Sequence, residues 1–317
     1  MSTPLSQLNT PAALVDTQRI QRNIALMQNR MNTLGVAFRP HVKTTKCLPI
    51  VQAQMAAGAR GITVSTLKEA EQFFATGITG ILYAVGMIPH KLPHALALVR
   101  KGCALKIIAD SANTVKAIVD FGKENTAQFE VWIEIDSDGH RSGIAPESDV
   151  LLDVGRILQQ GGMHLGGVMT HAGSSYALNA QDALQKMAEQ ERSLCVRTAQ
   201  RLRAAGLPCP AVCVGSTPTA LSATQLAGVT EVRAGVYVFF DVVMANVGVC
   251  TLNDVALSVL TTVIGHQADK GWAIVDAGWM AMSRDRGTQQ QMHDDYGYGY
   301  GQACNARGEP LADYAMT

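Results

Sequence analysis

The chain has 317 residues, of which 47% are apolar, so it can bury one large hydrophobic core or two modest ones. Lysine and arginine together number 26, aspartate and glutamate also number 26, and no run of like charge occurs. This balance excludes the charged surface that nucleic acid or an anionic membrane requires. The binding partner is therefore expected to be a small molecule.

The N-terminus and the cysteines both favour a cytoplasmic protein. The first residues lack a basic segment followed by an apolar stretch, and no window reaches the roughly 18 apolar residues of a membrane span. Seven cysteines are scattered without a CxxC pair, which fits buried thiols in a reducing compartment. None of them is assigned to a metal site.

From Val36 onward, short β-rich runs alternate with longer amphipathic runs, a pattern typical of parallel strands joined by helices. Eight strands are predicted: Val36–Lys43, Gly61–Ser65, Ile81–Val85, Leu105–Ala109, Phe129–Asp136, His164–His171, Ala211–Gly215 and Glu231–Tyr237. Eight βα units in roughly 200 residues predict a (β/α)8 TIM-type barrel, with its active site at the C-terminal ends of the strands. The alternative, a doubly wound open sheet, would have fewer strands and a glycine-rich turn where this chain has RPHVKTTK.

Beyond the eighth strand the pattern changes to β-rich segments, Val255–Gly265 and Gly271–Asp276, with turn residues between them and no long helix after them. We therefore predict two domains. Residues 12–240 form the barrel, and residues 1–11 together with 241–317 form a separate, mostly β domain.

Charged side chains are predicted to gather inside the barrel. Because side chains alternate along a strand, Arg39, His41 and Lys43 share one face of strand one, and Glu134 and Asp136 share a face of strand five. Buried charges are costly unless they are paired or used, so these residues indicate an ion network, a catalytic site, or both. The alternative for Lys43 alone is a solvated strand end. In a cationic, partly desolvated mouth, Lys43 would favour the neutral amine that a Schiff-base nucleophile requires.

Two loops offer further groups for chemistry. After strand five, Arg141 lies between Gly139 and Gly143, where the backbone can approach a ligand closely, so its guanidinium could bind an oxyanion or a phenolate. After strand six, THAGSSY contains the imidazole of His171 and the phenol of Tyr176. A hydrogen-bonded structural histidine is the alternative for His171.

The loops after strands seven and eight contain GSTPT (215–219) and RAGVY (233–237). In many barrels these two loops bind phosphate through backbone N–H groups and hydroxyls. Together with a lysine on strand one, such a site is consistent with two chemistries. One is that of a pyridoxal phosphate (PLP) enzyme, and the other is that of a Schiff-base aldolase for a phosphorylated sugar.

Five ordered motifs, RPHVKTTK, DGHRSG, THAGSSY, GSTPT and RAGVYVFFD, resemble those of the D-serine dehydratase and D-threonine aldolase family, PLP enzymes of the alanine-racemase-like fold. The match extends from about Thr10 to Asp276. Further stretches, including VSTLKEAEQFF and VIGHQADKGWAIVDAGWMAMSRDRGT, are similar to bacterial members that act on D-threo-3-hydroxyaspartate. With this resemblance, the phosphosugar aldolase is disfavoured.

The resemblance implies roles for individual residues. Lys43 would bind PLP through a Schiff base, and Arg141 and Tyr176 would contact the ring. The predicted cofactor-binding residues are Lys43, Tyr176, Ser216, Thr217, Gly235 and Val236. The predicted catalytic residues are Lys43, Arg141 and His171.

The implied activity is dehydration of a D-3-hydroxy amino acid to a keto acid and ammonia. One alternative is retro-aldol cleavage of the same substrates to glycine and an aldehyde. Another is a non-catalytic PLP-binding protein, against which the second, β-rich domain argues. A homodimer is expected, since relatives of this fold often pair.

The resemblance also implies a divalent metal, bound by a histidine followed two residues later by cysteine or aspartate, at a position that would lie beyond Thr317. No such pair occurs at the expected place, so no metal ligands are predicted in this chain. His293 and Asp295 have the spacing but lie too early, in a loop-like stretch rich in Gly, Asp, Gln and Tyr. Two interpretations stay open: the chain is truncated and its second domain incomplete, or the protein has lost the metal-assisted step.

Overall fold

The computed structural model describes residues 3–283, 287 and 300–316. The first elements along the chain are β1 (Ala12–Val15), α1 (Thr17–Thr33), β2 (Ala37–Phe38), α2 (Leu48–Ala56), β3 (Ile62–Val64), α3 (Leu67–Phe74), β4 (Gly80–Gly86), α4 (Leu92–Arg100), β5 (Ala104–Ala109), α5 (Ala112–Glu124) and β6 (Glu130–Ile135). They are followed by α6 (Val150–Gln160), β7 (His164–Thr170), α7 (Gln181–Ala204), β8 (Ala211–Val214), α8 (Thr217–Ser222), β9 (Glu231–Val232), α9 (Val242–Val247), β10 (Leu257–Leu260), β11 (Val263–Gln267), β12 (Trp272–Val275), β13 (Gln302–Cys304) and β14 (Pro310–Ala315).

Local sequence explains where several of these elements begin. Five helices start after a residue whose side-chain oxygen accepts an N–H of the first turn: Asp16, Thr66, Ser111, Ser216 and Asp241. The barrel strands are short apolar runs, and β3 and β7 are buried along almost their whole length. Such runs are typical of parallel strands that are covered on both faces.

The larger of two compact units, Ile24–Tyr237, contains an eight-stranded parallel sheet in the order β2-β9-β8-β7-β6-β5-β4-β3. Backbone hydrogen bonds join its two end strands. The Arg60 N–H donates to the Phe38 carbonyl at 2.8 Å, and the Thr63 N–H donates to the Pro40 carbonyl at 2.8 Å. The sheet therefore closes on itself, which confirms the predicted (β/α)8 TIM-type barrel and rules out a doubly wound open sheet.

The inside of the barrel is packed with side chains. Five adjacent strands, β4 to β8, each contribute one residue to a buried cluster: Leu82, Ile108, Trp132, Met169 and Cys213. The parallel register places Ile108 beside Trp132 and Met169 beside Cys213. Because this layer fills the interior, polar chemistry is confined to the two ends of the barrel.

The start of the barrel differs from the prediction. The first strand, predicted as Val36–Lys43, is only Ala37–Phe38 long, and Val42–Thr44 form a 3-10 helical turn. The predicted common face of Arg39, His41 and Lys43 is therefore wrong. Pro40 has no N–H to give to the sheet, and the N–H groups of Thr45 and Lys46 both bond to the Val42 carbonyl, which turns the chain.

Arg39 lies at the other end of the barrel from the predicted site. Its guanidinium donates to both carboxylate oxygens of Glu231, at 2.9 and 3.0 Å, and to the Gly80 carbonyl at 3.2 Å. Glu231 and Gly80 are the first residues of β9 and β4. Arg39 therefore stabilises the N-terminal end of the barrel.

The smaller unit comprises the chain up to Asn23 and from Val238 onward. It is mostly β, as predicted: β1 pairs antiparallel with β10, β11 with β12, and β13 with β14. The Asp276 carboxylate accepts the Thr10 hydroxyl at 2.5 Å and the Thr262 N–H at 3.0 Å, bonds that lower its pKa. The predicted domain boundaries are 12–240 for the barrel and 1–11 plus 241–317 for the β domain. These boundaries stay a prediction.

The predictions about a membrane span and about His293 and Asp295 concern the extent of the described residues. Within its described part, no helix is both long and apolar enough to cross a bilayer. His293 and Asp295 lie outside the described residues.

Candidate active site

Lys43 lies in the 3-10 turn that follows β2, at the C-terminal end of the barrel. Its side chain reaches solvent, yet the surrounding protein removes part of its hydration shell. This desolvation, together with the positive charges of Arg141 and Arg233, lowers the pKa of the Lys43 ammonium, and Glu69 acts weakly in the opposite direction. A larger fraction of Lys43 is therefore the neutral amine, which is the nucleophilic form.

Two histidines near Lys43 are uncharged. Burial lowers the pKa of His171 to about 4, and the positive charge of Arg233 adds to the effect. Burial and the neighbouring Lys43 lower the pKa of His41 well below its ordinary value. The His41 Nδ1 accepts the backbone N–H of Lys43 at 3.4 Å. Near pH 7 both imidazoles therefore act as neutral hydrogen-bonding groups.

The loop after β6 brings Arg141 to this end of the barrel. The Asp136 carboxylate accepts the Gly139 N–H at 2.8 Å, which tightens the loop. Gly143 has a φ of +127°, and a Cβ there would lie 2.5 Å from the Asp136 nitrogen, so only glycine fits. A Cβ on Gly173 would lie 3.0 Å from Nε of Arg141, which shows how closely this loop approaches the loop after β7.

That second loop contains His171 and Tyr176. The His171 Nδ1 lies 3.1 Å from the Gly215 carbonyl oxygen. The rings of His171 and Tyr176 are 6.0 Å apart between centroids, at an angle of 46°. The structure therefore brings Tyr176, His171 and the loop after β8 together, as predicted from their positions at strand ends.

Ser216 and Thr217 open the short helix α8, but their hydroxyls differ. The Ser216 hydroxyl accepts the Thr219 N–H at 3.2 Å, and the Thr219 hydroxyl accepts the Ser216 N–H at 2.9 Å, which is a capping box. The Ser216 hydroxyl also bonds to that of Ser175 at 2.8 Å. Ser216 is therefore occupied by the helix cap.

Thr217, by contrast, keeps a free donor. Its buried hydroxyl oxygen accepts the Tyr237 N–H at 3.3 Å, and its hydrogen meets no acceptor among the residues that the structure describes. Within the same residues, the N–H groups of Gly235 and Val236 donate to nothing either. A Cβ on Gly235 would lie 2.9 Å from the His41 carbonyl oxygen, so only glycine fits there. Three unused donors therefore lie in two loops that touch, which suits an oxyanion such as phosphate.

Two charged residues of the site were not assigned from the sequence. Arg233 is 4% exposed; it donates to the Thr170 carbonyl and to Sγ of Cys213, the latter at 3.0 Å. The Glu134 carboxylate accepts the Ser142 hydroxyl at 3.1 Å, and burial raises its pKa. Their signal was the alternation of strand residues, which places charged side chains at strand ends facing inward.

Comparison with known proteins identifies the family to which the chain belongs. The alanine racemase N-terminal domain family matches residues 15–242, and the serine dehydratase domain matches residues 256–314. D-threo-3-hydroxyaspartate dehydratase of Delftia sp. is 64% identical over 318 residues, which cover 100% of this chain and 83% of that protein. The chain belongs to the D-serine dehydratase and D-threonine aldolase family. The predicted resemblance is confirmed.

Other members of the family are similar at greater distance. D-serine dehydratase of Dictyostelium discoideum is 31% identical over 300 residues, covering 89% of this chain and 76% of that protein. The solved structure of the Delftia enzyme matches with a TM-score of 0.96, over 99% of this chain and 82% of that chain. D-threonine aldolase from Filomicrobium marinum matches with a TM-score of 0.80 at 25% identity, over 88% of this chain and 76% of that chain. These matches confirm the alanine-racemase-like fold.

Proposed function

We propose that this chain is a PLP-dependent dehydratase that converts a D-3-hydroxy amino acid, D-threo-3-hydroxyaspartate, to a keto acid and ammonia. The observation that carries the proposal is the set of unused donors on Thr217, Gly235 and Val236, beside Lys43 with its lowered pKa. A phosphate group and an aldehyde on one small molecule would satisfy both features. The 64% identity to the Delftia dehydratase supports the substrate and the reaction.

The described residues fit PLP. Lys43 would hold its aldehyde carbon, and the Thr217 hydroxyl with the Gly235 and Val236 N–H groups would hold its phosphate. When bound, PLP supplies an electron sink for negative charge at the substrate Cα. The hydroxyl and N–H of Ser216 are both used in the cap of α8, so Ser216 would hold Thr217 in place without contacting the phosphate itself.

The chain's own residues supply the proton transfer and the charge. Once the substrate amine has replaced it on the cofactor, Nζ of Lys43 would be a free, neutral amine that could take the proton from the substrate Cα. Arg141 and Arg233 add positive charge, and none of the ion pairs formed by the described residues includes Lys43, Arg141 or Arg233. Cationic side chains that form no ion pair suit a substrate with two carboxylates. Arg141, the more exposed of the two arginines, would bind one of them.

The metal expected from the family is a separate question. The Delftia enzyme has been solved as a mutant in the metal-free form. In residues 3–283, 287 and 300–316 of this chain, no group of three or more His, Cys, Asp or Glu side chains could hold a metal ion. The described residues therefore do not fit a metal, and no step is assigned to one.

A product assay tests the proposed reaction. Purified protein with PLP is supplied with D-threo-3-hydroxyaspartate, D-serine and D-threonine, and ammonia, keto acid, glycine and aldehyde are measured. We expect ammonia and keto acid in equal amounts, fastest from the hydroxyaspartate. Glycine and an aldehyde would identify an aldolase instead. Binding of PLP without any product would leave the non-catalytic PLP-binding protein.

We further propose that the protein is a cytoplasmic homodimer. All seven cysteines are free thiols, which suits a reducing compartment. Strands β11 and β12 expose large apolar side chains, among them Ile264 at 65% and Trp272 at 56%, as interfaces do. Light scattering at several concentrations should give twice the monomer mass, and a monomer mass throughout would contradict the dimer.

A further inference from the structure

Glu191, in the middle of α7, is a buried carboxyl group to which the proposed reaction assigns no role. It is 1% exposed. Its Oε1 accepts the Ala172 N–H at 2.9 Å and the Gly215 N–H at 3.1 Å. Burial raises the pKa of this carboxyl group, and these two N–H groups and the nearby Thr219 hydroxyl act in the opposite direction. One carboxyl group therefore joins the loop after β7 to the loop after β8.

Both loops contain residues of the site next to these bonds. Ala172 directly follows His171, and Gly215 directly precedes Ser216. Gly215 has a φ of +125°, and a Cβ there would lie 2.4 Å from the Arg233 carbonyl oxygen, so its position is closely restricted. Glu191 holds the Gly215 N–H, while the Gly215 carbonyl faces Nδ1 of His171 at 3.1 Å.

This contact decides which nitrogen of His171 carries the proton. A carbonyl oxygen only accepts, so Nδ1 must be the donor. The ring is neutral because burial lowers its pKa to about 4, so Nε2 carries the lone pair. Among the residues that the structure describes, Nε2 has no hydrogen-bond partner. The position of the Gly215 carbonyl therefore makes Nε2 the accepting nitrogen.

We propose that Glu191 is a positioning residue of the active site, which joins Ala172 to Gly215 and so holds His171 as the Nδ1–H tautomer with Nε2 as a proton acceptor. The use of that acceptor in turnover rests on the proposed function. The tautomer itself is a property of the chain. Without the carboxyl group, two buried N–H groups lose their acceptor, and the loops rearrange to regain one.

Three variants separate geometry from charge and from stability. Glu191→Gln keeps an oxygen for both N–H groups at nearly the same volume and removes only the charge. Glu191→Met has similar volume but no acceptor of comparable strength. Glu191→Asp withdraws the carboxylate by one methylene and serves if the methionine variant does not fold. Glu231→Gln is the matched control, since Glu231 is also buried but accepts from the Arg39 side chain at the other end of the barrel.

The first measurement is 15N NMR of the histidine side chains in the protein as purified, with His171 assigned by difference from His171→Asn. We expect a protonated Nδ1 and a bare Nε2 in the wild type, in Glu191→Gln and in Glu231→Gln. Glu191→Met should show a mixture of tautomers. A wild-type proton on Nε2, or wild-type His171 signals in Glu191→Met and Glu191→Asp, would overturn the proposal.

The second measurement is a double-mutant cycle on kcat. Glu191→Met should lower kcat by about tenfold or more, and Glu191→Gln should largely restore it. In the His171→Asn background, Glu191→Met should cost less than about twofold, because the two residues act as one unit. Additive losses would show that Glu191 acts elsewhere. If the NMR spectra are as expected but no D-3-hydroxy amino acid is turned over, the proposed function is contradicted and the positioning role of Glu191 is retained.

Discussion

The two ends of the barrel differ in how their charged side chains are paired. At the N-terminal end, Arg39 and Glu231 form a buried pair with two hydrogen bonds, so each charge is compensated inside the protein. At the C-terminal end, burial and the positive charges of Arg141 and Arg233 lower the pKa of Lys43, and none of the ion pairs in the described part of the chain includes any of these three residues. A buried ion pair supports the fold, whereas cationic side chains without an ion-pair partner are available to bind an anion.

The largest expected effect is the loss of activity when Lys43, at the C-terminal end of the barrel, is replaced. Replacing Lys43 with alanine should abolish both the visible absorbance of bound PLP and keto-acid release, because the amine that holds the cofactor and accepts the Cα proton is gone. Lys46→Ala is the control, since Lys46 lies three residues after Lys43 and its exposed side chain pairs with the buried Glu69 at 3.3 Å. Normal turnover by Lys43→Ala would refute the assignment.

Breaking the ion pair between Arg39 and Glu231 should lower the stability of the protein and leave its turnover unchanged. Glu231→Ala leaves the Arg39 guanidinium buried and unpaired, so the free energy of unfolding should fall by about 3–5 kcal/mol. The kcat of the folded fraction should stay the same. Urea unfolding measures the first and keto-acid release the second. The double variant with Arg39→Met and Glu231→Leu should recover most of the stability. If Glu231→Ala lowered kcat and left the free energy of unfolding unchanged, the purely structural role of this pair would be contradicted.

The neutral state of His171 predicts a dependence of stability on pH. Its pKa in the folded chain is about 4, below the ordinary 6.5, so its contribution is fully present above pH 6.5 and is lost as the pH falls towards 4. Between pH 6.5 and 4, His171 binds a proton in the unfolded chain but not in the folded chain. The gap corresponds to about 3 kcal/mol. His171→Asn should lose correspondingly less stability between pH 6.5 and 4 in urea unfolding; an identical loss would contradict the lowered pKa.

The smallest expected effect concerns the phosphate donors. Thr217→Val removes one hydroxyl that would bond to a charged group, so the Kd for PLP should rise about 10- to 100-fold. At saturating PLP, kcat should change much less, because the phosphate is remote from the bond that breaks. Thr198→Val is the matched control, since its buried hydroxyl donates to the Leu194 carbonyl within α7. Equal PLP affinity in Thr217→Val and wild type would remove this residue from the site.

Much of the fold and part of the site were predictable because their signals are local. The alternation of β-rich and amphipathic runs predicted the barrel strands, and every predicted site residue lies in the loops after β2, β6, β7, β8 and β9. Parallel strands place all their C-terminal ends together, so a loop's position along the chain already indicates its position in space. The change of pattern after residue 240 likewise predicted the mostly β unit.

The distinctions within the site were not predictable in the same way. Arg39 and Lys43 are four residues apart and were expected on one face, but they lie at opposite ends of the barrel. Ser216 and Thr217 are adjacent hydroxyl residues, yet of the two only Thr217 keeps a hydroxyl hydrogen for which the described residues provide no acceptor. Each of these outcomes depends on a partner from another strand, and the sequence of one segment does not name its partner.

The sequence by itself therefore determined the closed barrel and the loops that form its mouth, because strand periodicity acts over short distances along the chain. Lys43 as the Schiff-base lysine stays a prediction from the order of the motifs. Only the tertiary structure decided which charges are compensated, which nitrogen of His171 carries its proton and what Glu191 joins. Those properties depend on desolvation and on hydrogen bonds between residues far apart in sequence, such as Glu191 and Gly215. Such contacts exist only after the strands have closed and the helices have covered them.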